Sequence, residues 1–312
     1  MEPTTLLYSS HSRSNVLHND WLVQRALRGN KKILFLPMSN GTGLKTDLDR
    51  QEYSWSRFEW FFNYYARYGL NAQPIYWAPK MEEQDARLLV DHLKSDAVVI
   101  FGGGNPWTGI KRYAAIGSRF FDDPDTISKL IANRQERGLL TAGFSAGVDQ
   151  LCEYFSSSIE YEARPTRGYG LARNIIALSH FEHGRENILA RNARRYPECL
   201  VFGLPNDSGL AIRDTRTASG LSCQIITCII DDSWDQPKDQ WHIKTRQGLN
   251  IQHLFADGRH WGFNDGDRVV RIISAEGTPR DTYILLKDGP VVEYASRKQV
   301  DFDGLEDVLR SH

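Results

Sequence analysis

The stretch from Gly138 to Phe155 constrains the fold more than any other. An apolar run, Gly138-Leu-Leu-Thr-Ala142, leads into Gly143-Phe-Ser-Ala-Gly147, and helix-compatible spacing follows from Val148 to Phe155. A serine in G-x-S-x-G between a strand and a helix occupies a sharp turn, where small flanking residues permit a strained backbone and close packing. Such a turn needs a sheet whose strands hand over directly to helices, with the hydroxyl raised above the carboxyl edge. Ser145 is therefore the candidate nucleophile. The same spacing also arises in ordinary loops, so its partners have to come from elsewhere in the chain.

The surrounding pattern supplies the sheet. Lys31 to Met38 reads as a buried first strand, ended by the turn-rich Ser39-Asn-Gly-Thr-Gly43. Ser54 caps a helix reaching Tyr68, with Trp55, Phe58, Phe62 and Tyr65 on a core-facing stripe and Gly69 as its stop. A strand over 72–77, a helix over 82–94 and a strand over 97–101 follow. Beyond them come a helix over 124–137, a strand over 174–178, a helix over 185–196 and a strand over 200–204. Strands alternating with helices predict a mostly parallel sheet with helices on both faces, since parallel strands need crossover connections. The residues before Lys31 lack a clean start signal and read as a peripheral arm, with a short helix over 16–27.

Three strand ends carry candidate chemistry. The strand over 97–101 runs into Gly102-Gly-Gly-Asn-Pro-Trp107, which fits neither the phosphate loop nor the dinucleotide fingerprint. It is either a tight structural turn or a set of amides, around Gly103, Gly104 and Asn105, that joins the Ala146 amide in holding an oxyanion. Just past the strand over 174–178, His180 is placed to act as general base for Ser145. His180, Glu182 and His183 as metal ligands is the weaker alternative, because no H-E-x-x-H helix or cysteine cluster accompanies them, and no metal site is expected. The third strand end offers Asn206 and Asp207 as orienters of His180. Asp207 would oppose the imidazolium charge, whereas Asn206 would orient without charge. Between these stations, Glu160, Glu162, Arg164 and Arg167 form either a substrate rim or a solvated loop.

Four stretches in this order, Gly102-Gly-Gly-Asn105, Gly143-Phe-Ser-Ala-Gly147, Ser179-His-Phe181 and Val201-Phe-Gly-Leu-Pro205, resemble the peptidase E and cyanophycinase family of serine peptidases. The resemblance spans most of residues 31–215 and implies a glutamine-amidotransferase-like (flavodoxin-like) α/β fold. It implies Ser145 as nucleophile, His180 as base, and glycine-loop and elbow amides as the oxyanion hole. Relatives carry an acidic residue where Asn206 falls, so either asparagine replaces the acid or the acid has moved to Asp207. Glu160 stands fifteen residues after Ser145, where peptidase E has an aspartate near its active site, and is implied to contact substrate or assist the histidine. Small or aspartyl-type peptide substrates follow from the same resemblance, with Arg164, Arg167 and Arg185 as candidates to receive a carboxylate.

From Ser222 onward the pattern turns to short β-like runs over 224–230, 241–245, 251–255, 268–273 and 283–286, with a final helix over 305–309. The expected organisation is a catalytic α/β domain over 1–232 and a β-rich extension over 233–312 packed on the same unit. The extension could cover a sheet edge, restrict the site or form a homo-oligomer contact. With 38 basic and 39 acidic residues among 312, global charge gives no attraction to nucleic acid or an anionic membrane. No apolar run approaches the roughly 18 residues of a membrane helix. Cys152, Cys199, Cys223 and Cys228 lack C-x-x-C spacing and no signal peptide precedes them, which reads as a cytoplasmic protein with reduced thiols. Cys152 lies past the elbow rather than at it, which disfavours glutamine amidotransfer. The expected activity is hydrolysis of a small peptide or amide without cofactor. Transfer of the acyl group to an amine or alcohol, and a binding or regulatory protein that has lost catalysis, are the alternatives.

Overall fold

The computed structural model describes residues 2–9, 17–40, 63–75, 77, 81–231 and 250–312. The expected helix start at Ser54 and the strand over 241–245 lie outside them; Asn63 to Ala66 of that helix is helical.

A ten-stranded sheet forms the frame. Its strands are β1 (Thr5–Tyr8), β2 (Lys32–Leu36), β3 (Asn71–Pro74), β4 (Val98–Phe101), β5 (Leu140–Phe144), β8 (Ser208–Arg216), β9 (Ser222–Ile230), β12 (Arg268–Ile273), β13 (Pro279–Leu285) and β14 (Val291–Glu293), in the spatial order β14-β13-β12-β9-β8-β1-β5-β4-β2-β3. A second sheet has the order β11-β10-β7-β6, from β6 (Ile175–Leu178), β7 (Leu200–Gly203), β10 (Ile251–Leu254) and β11 (His260–Phe263). The helices are α1 (Gln24–Arg28), α2 (Glu83–Ser95), α3 (Pro106–Phe121), α4 (Thr126–Glu136), α5 (Ala146–Leu151), α6 (Ser157–Glu160), α7 (Glu186–Arg195) and α8 (Leu305–Ser311), with a π-helical turn over Leu17–Val23 before α1.

The molecule is a mixed α/β protein, and its large sheet is not mostly parallel. From β3 to β1 every pairing is parallel. From β1 to β14 every pairing is antiparallel. For β8–β9, β12–β13 and β13–β14 the physical reason is connection length, since these strands follow one another through short turns and a short turn can join only antiparallel neighbours. The extension supplies β10 and β11 to the small sheet and β12 to β14 to the large one, so its strands complete both.

The amino-terminal arm is the second departure from expectation. Thr5–Tyr8, read as peripheral, lies between β5 and β8 in the middle of the large sheet, with all four residues buried. Alternate residues serve opposite faces, as strand geometry requires. Leu7, Leu34, Leu36, Val99 and Phe101 pack toward α2, α3, α4 and the small sheet. Leu6, Tyr8, Ile33, Phe35, Val98 and Ile100 pack toward Leu17–Val23, α1 and Tyr65. The other face of the small sheet, through Ile176, Leu178 and Val201, receives Leu189 and Ala193 of α7. Helix α3 was not anticipated. Its start is marked by Asn105, whose side chain accepts the Thr108 N–H at 2.9 Å, and by Pro106 in the first turn. Among the described residues no helix is long and apolar enough to cross a membrane.

Candidate active site

Ser145 sits at the handover from β5 to α5 with φ 52° and ψ −114°, a conformation that costs a non-glycine residue energy and that tight packing has to impose. The packing is visible in the glycines: a Cβ on Gly143 would collide with the Gly147 carbonyl, and one on Gly147 with the Phe101 carbonyl. The first turn of α5 thus lies directly on β4 and β5, which leaves the serine no relaxed alternative. The adjoining glycine loop runs against it. Gly104 has φ 126° and a Cβ there would strike the Ser39 carbonyl, while a Cβ on Gly103 would lie 3.3 Å from that of Ser145.

His180 reaches the serine from the end of β6. Its backbone also adopts a positive φ, 52°, and the half-buried ring places Nε2 2.9 Å from Ser145 Oγ. The other nitrogen, Nδ1, is 2.7 Å from Asn206 Oδ1, at the end of β7. An amide oxygen only accepts, so the proton between them belongs to Nδ1, and the lone pair of Nε2 faces the serine hydroxyl. Asn206 is the residue whose side chain meets Nδ1. Asp207 is buried beside it with φ 65°, and its carbonyl accepts the Asp231 N–H at 2.8 Å.

Ser145 and His180 open onto a cavity of about 540 Å³ lined also by Gly104, Ala146, Glu160 and Arg185. Ala146 begins α5, so its N–H has no acceptor within the helix. Glu160 binds Arg185 through Oε2 at 2.8 Å, and Arg185 donates in turn to the carbonyls of Ser179 at 3.0 Å and His180 at 2.7 Å. Of the three arginines considered from sequence, Arg185 lines the cavity. Arg164 is exposed, and Arg167 pairs with Glu153 at 2.6 Å. The Asn105 amide, expected among the oxyanion donors, instead donates to Ser39 O at 2.9 Å, and the residue is an exposed helix cap. His183 is exposed, 3.5 Å from Glu186.

Two site residues escaped the sequence reading. Asp149, one turn of α5 beyond Ser145, lines the cavity and is buried; its carboxylate accepts Ser156 N at 2.7 Å, Ser156 Oγ at 2.9 Å and Ser157 Oγ at 2.5 Å. Burial pushes its pKa up to about 6 despite those donors. Its i+4 spacing from Ser145 is a signal that could have found it. The other is Ser9, immediately after β1 and fully buried, whose Oγ accepts the His180 N–H at 2.6 Å and donates to Asn206 Oδ1 at 3.3 Å. Cys152, past the elbow, is buried with a free thiol whose pKa burial raises far above the ordinary value, which is the reverse of an activated nucleophile.

No protein-family model matches the chain, and no curated protein is significantly similar to it. Among solved structures it is similar to the crystal structure of a peptidase from an acI-B1 Actinobacterium, with a TM-score of 0.50 at 18% identity over 84% of this chain and 98% of that chain. At that identity the likeness is one of fold.

Proposed function

We propose that the protein is a serine hydrolase of the peptidase E type, with a glutamine-amidotransferase-like core, that cleaves a small peptide or aspartyl-type amide through an acyl-enzyme. The observation that carries this is the chain of contacts Ser145 Oγ to His180 Nε2 and His180 Nδ1 to Asn206 Oδ1, with the serine held at φ 52° above a cavity. His180 Nε2 takes the Ser145 proton as Oγ attacks the substrate carbonyl carbon. The carbonyl π bond breaks to give an oxyanion, received by the Ala146 and glycine-loop amides. The oxyanion collapses, the C–N bond breaks, and His180 returns its proton to the departing amine. Water then attacks the ester with the same base, releasing the acid and Ser145. A cavity of about 540 Å³ suits a short peptide, and the neighbour of similar fold is itself a peptidase.

Asn206 gives this site an orienter without charge. Asparagine serves the same role beside histidine in papain-like proteases, so its neutrality is compatible with turnover. The test is mass spectrometry after exposure to a fluorophosphonate, a probe that needs no knowledge of the substrate. Adduct formation on Ser145 that vanishes in Ser145→Ala supports the reading. Folded protein that stays unlabelled with the smallest probes over long exposure overturns it in favour of a binding role.

A further inference from the structure

An asparagine in the third position creates a problem that a carboxylate does not have. The two ends of its amide are nearly the same size and opposite in chemistry: one accepts, the other donates. With Oδ1 toward the ring, His180 carries its proton on Nδ1 and offers a lone pair to Ser145. Turned end for end, the amide would donate to Nδ1, the proton would move to Nε2, and the serine would face an N–H instead of a base. That is the wrong-tautomer state that cripples a serine protease triad when its aspartate becomes asparagine. Something beside Asn206 has to distinguish its ends.

We propose that Ser9 is the positioning residue that does so, and that it sets the tautomer of His180 by holding Asn206 Oδ1 toward the ring; this rests on the reading of Ser145 and His180 as nucleophile and base. Ser9 Oγ has one proton and two lone pairs. The His180 N–H occupies one lone pair at 2.6 Å, and the proton goes to Asn206 Oδ1 at 3.3 Å. Turned end for end, the amide could give an N–H to the remaining lone pair of Oγ, but the proton of the fully buried Ser9 hydroxyl would then lose its acceptor, so oxygen is favoured over NH2 at that corner. At 3.3 Å the bond is longer than the usual O–H···O range, so it biases orientation more than it binds. The backbone holds Ser9 in register for this. Its N–H donates to Ser208 O at 3.0 Å, two residues from Asn206, and the preceding carbonyl, Tyr8 O, accepts the Ser145 N–H at 3.3 Å. β1, by pairing with β5 on one side and β8 on the other, thus delivers one hydroxyl to the point where all three site segments meet.

The alternative role for Ser9 is purely structural: it pins the His180 backbone at its positive φ. Substitution in two backgrounds separates the two. In the natural chain, Ser9→Ala should slow fluorophosphonate labelling of Ser145 by about tenfold or more, short of the roughly 10⁴-fold loss of a fully wrong tautomer. Ser9→Thr, which keeps the hydroxyl, should restore most of it. In an Asn206→Asp background, where both ends of the side chain accept, Ser9→Ala should cost about twofold or less, because no wrong end exists. Ring ¹⁵N spectra of histidine-labelled protein supply a readout independent of catalysis: His180 should be the Nδ1–H tautomer in the natural chain and a mixture in Ser9→Ala. Equal slowing of Ser9→Ala in both backgrounds, or an unchanged tautomer in Ser9→Ala, overturns the proposal. If the natural chain does not label at Ser145, the hydrolase reading fails on its own account, and the ¹⁵N spectra still decide what Ser9 does to the ring.

Discussion

His180 and His253 are bonded in the same way and stand in different surroundings. Each ring has a carbonyl-type oxygen at Nδ1 and a hydroxyl at Nε2: Asn206 Oδ1 and Ser145 Oγ for His180, Val201 O at 2.8 Å and Tyr294 Oη at 2.6 Å for His253. Each therefore has a fixed tautomer. The difference lies around the pattern. His253, on β10, is 1% exposed, ringed by Phe202, Phe255, Phe263 and Tyr294, and burial drives its pKa down to about 4. His180 is half-buried on a strained turn, and its hydroxyl partner opens onto a cavity. A hydrogen-bonded histidine becomes a base only where the partner on its lone-pair side can react and a substrate can reach it.

Substituting each in turn should separate the two roles, and this gives the largest expected effect. His180→Ala should slow Ser145 labelling by about 10²–10⁴-fold, the usual worth of a general base, while leaving the urea midpoint nearly unchanged. His253→Ala should leave labelling of folded protein within about twofold and lower stability by about 2–4 kcal/mol, through lost packing and two buried polar atoms left without their partner. Comparable slowing by His253→Ala would break the comparison, because it would mean that the small sheet transmits strain from β10 to the site.

The second effect is smaller and concerns pH. His253 is held neutral, with a folded pKa of about 4 against an ordinary 6.5. The unfolded chain binds the extra proton in that window, so this group adds stability as pH rises from about 4 to 6.5. Asp149 runs the other way: its folded pKa of about 6 against 3.8 means the native state holds the proton more tightly, and its contribution falls over nearly the same interval. Each is worth about 3 kcal/mol at most, from roughly two units at 1.4 kcal/mol each. The two largely cancel in the natural chain. Between pH 4 and 6, Asp149→Asn should therefore gain stability relative to the natural chain as pH rises, and His253→Ala should lose it; denaturant titrations at several pH values measure both. Parallel curves for all three proteins would show that neither burial shifts a proton.

How much of this was legible depended on whether the signal was local. Ser145 was legible because its glycines and its strand-to-helix context lie within ten residues. His180 and Asn206 were legible as polar residues at the ends of apolar strands. Ser9 was not: β1 is four buried residues without periodicity, and its central place comes from pairing with strands far along the chain. The tail showed the same limit. Its strands could be read from alternation and turns, but nothing local says that β12 pairs with β9 or that β10 pairs with β7. Helix α3 was hidden differently, since Asn105 and Pro106, which start it, were read as part of the glycine loop.

The smallest effect concerns how Arg185 and Glu160 serve His180. The Arg185 guanidinium holds the Ser179 and His180 carbonyls, on either side of the peptide that carries the strained φ, and Glu160 holds the guanidinium. With side chains 20% and 27% exposed, the ion pair is partly screened and contributes about 1 kcal/mol or less to stability. Its leverage is positional: a ring displaced by a fraction of an ångström loses alignment with Ser145 Oγ. Arg185→Lys, which keeps the charge and loses the planar fork, should slow labelling about threefold to tenfold, and Glu160→Gln, which keeps an acceptor, by about twofold. That order reflects which side chain touches the His180 backbone. If Glu160→Gln slows reaction with a cationic probe while sparing a neutral one, the carboxylate meets the substrate directly, and Arg185 is the residue that holds it in place.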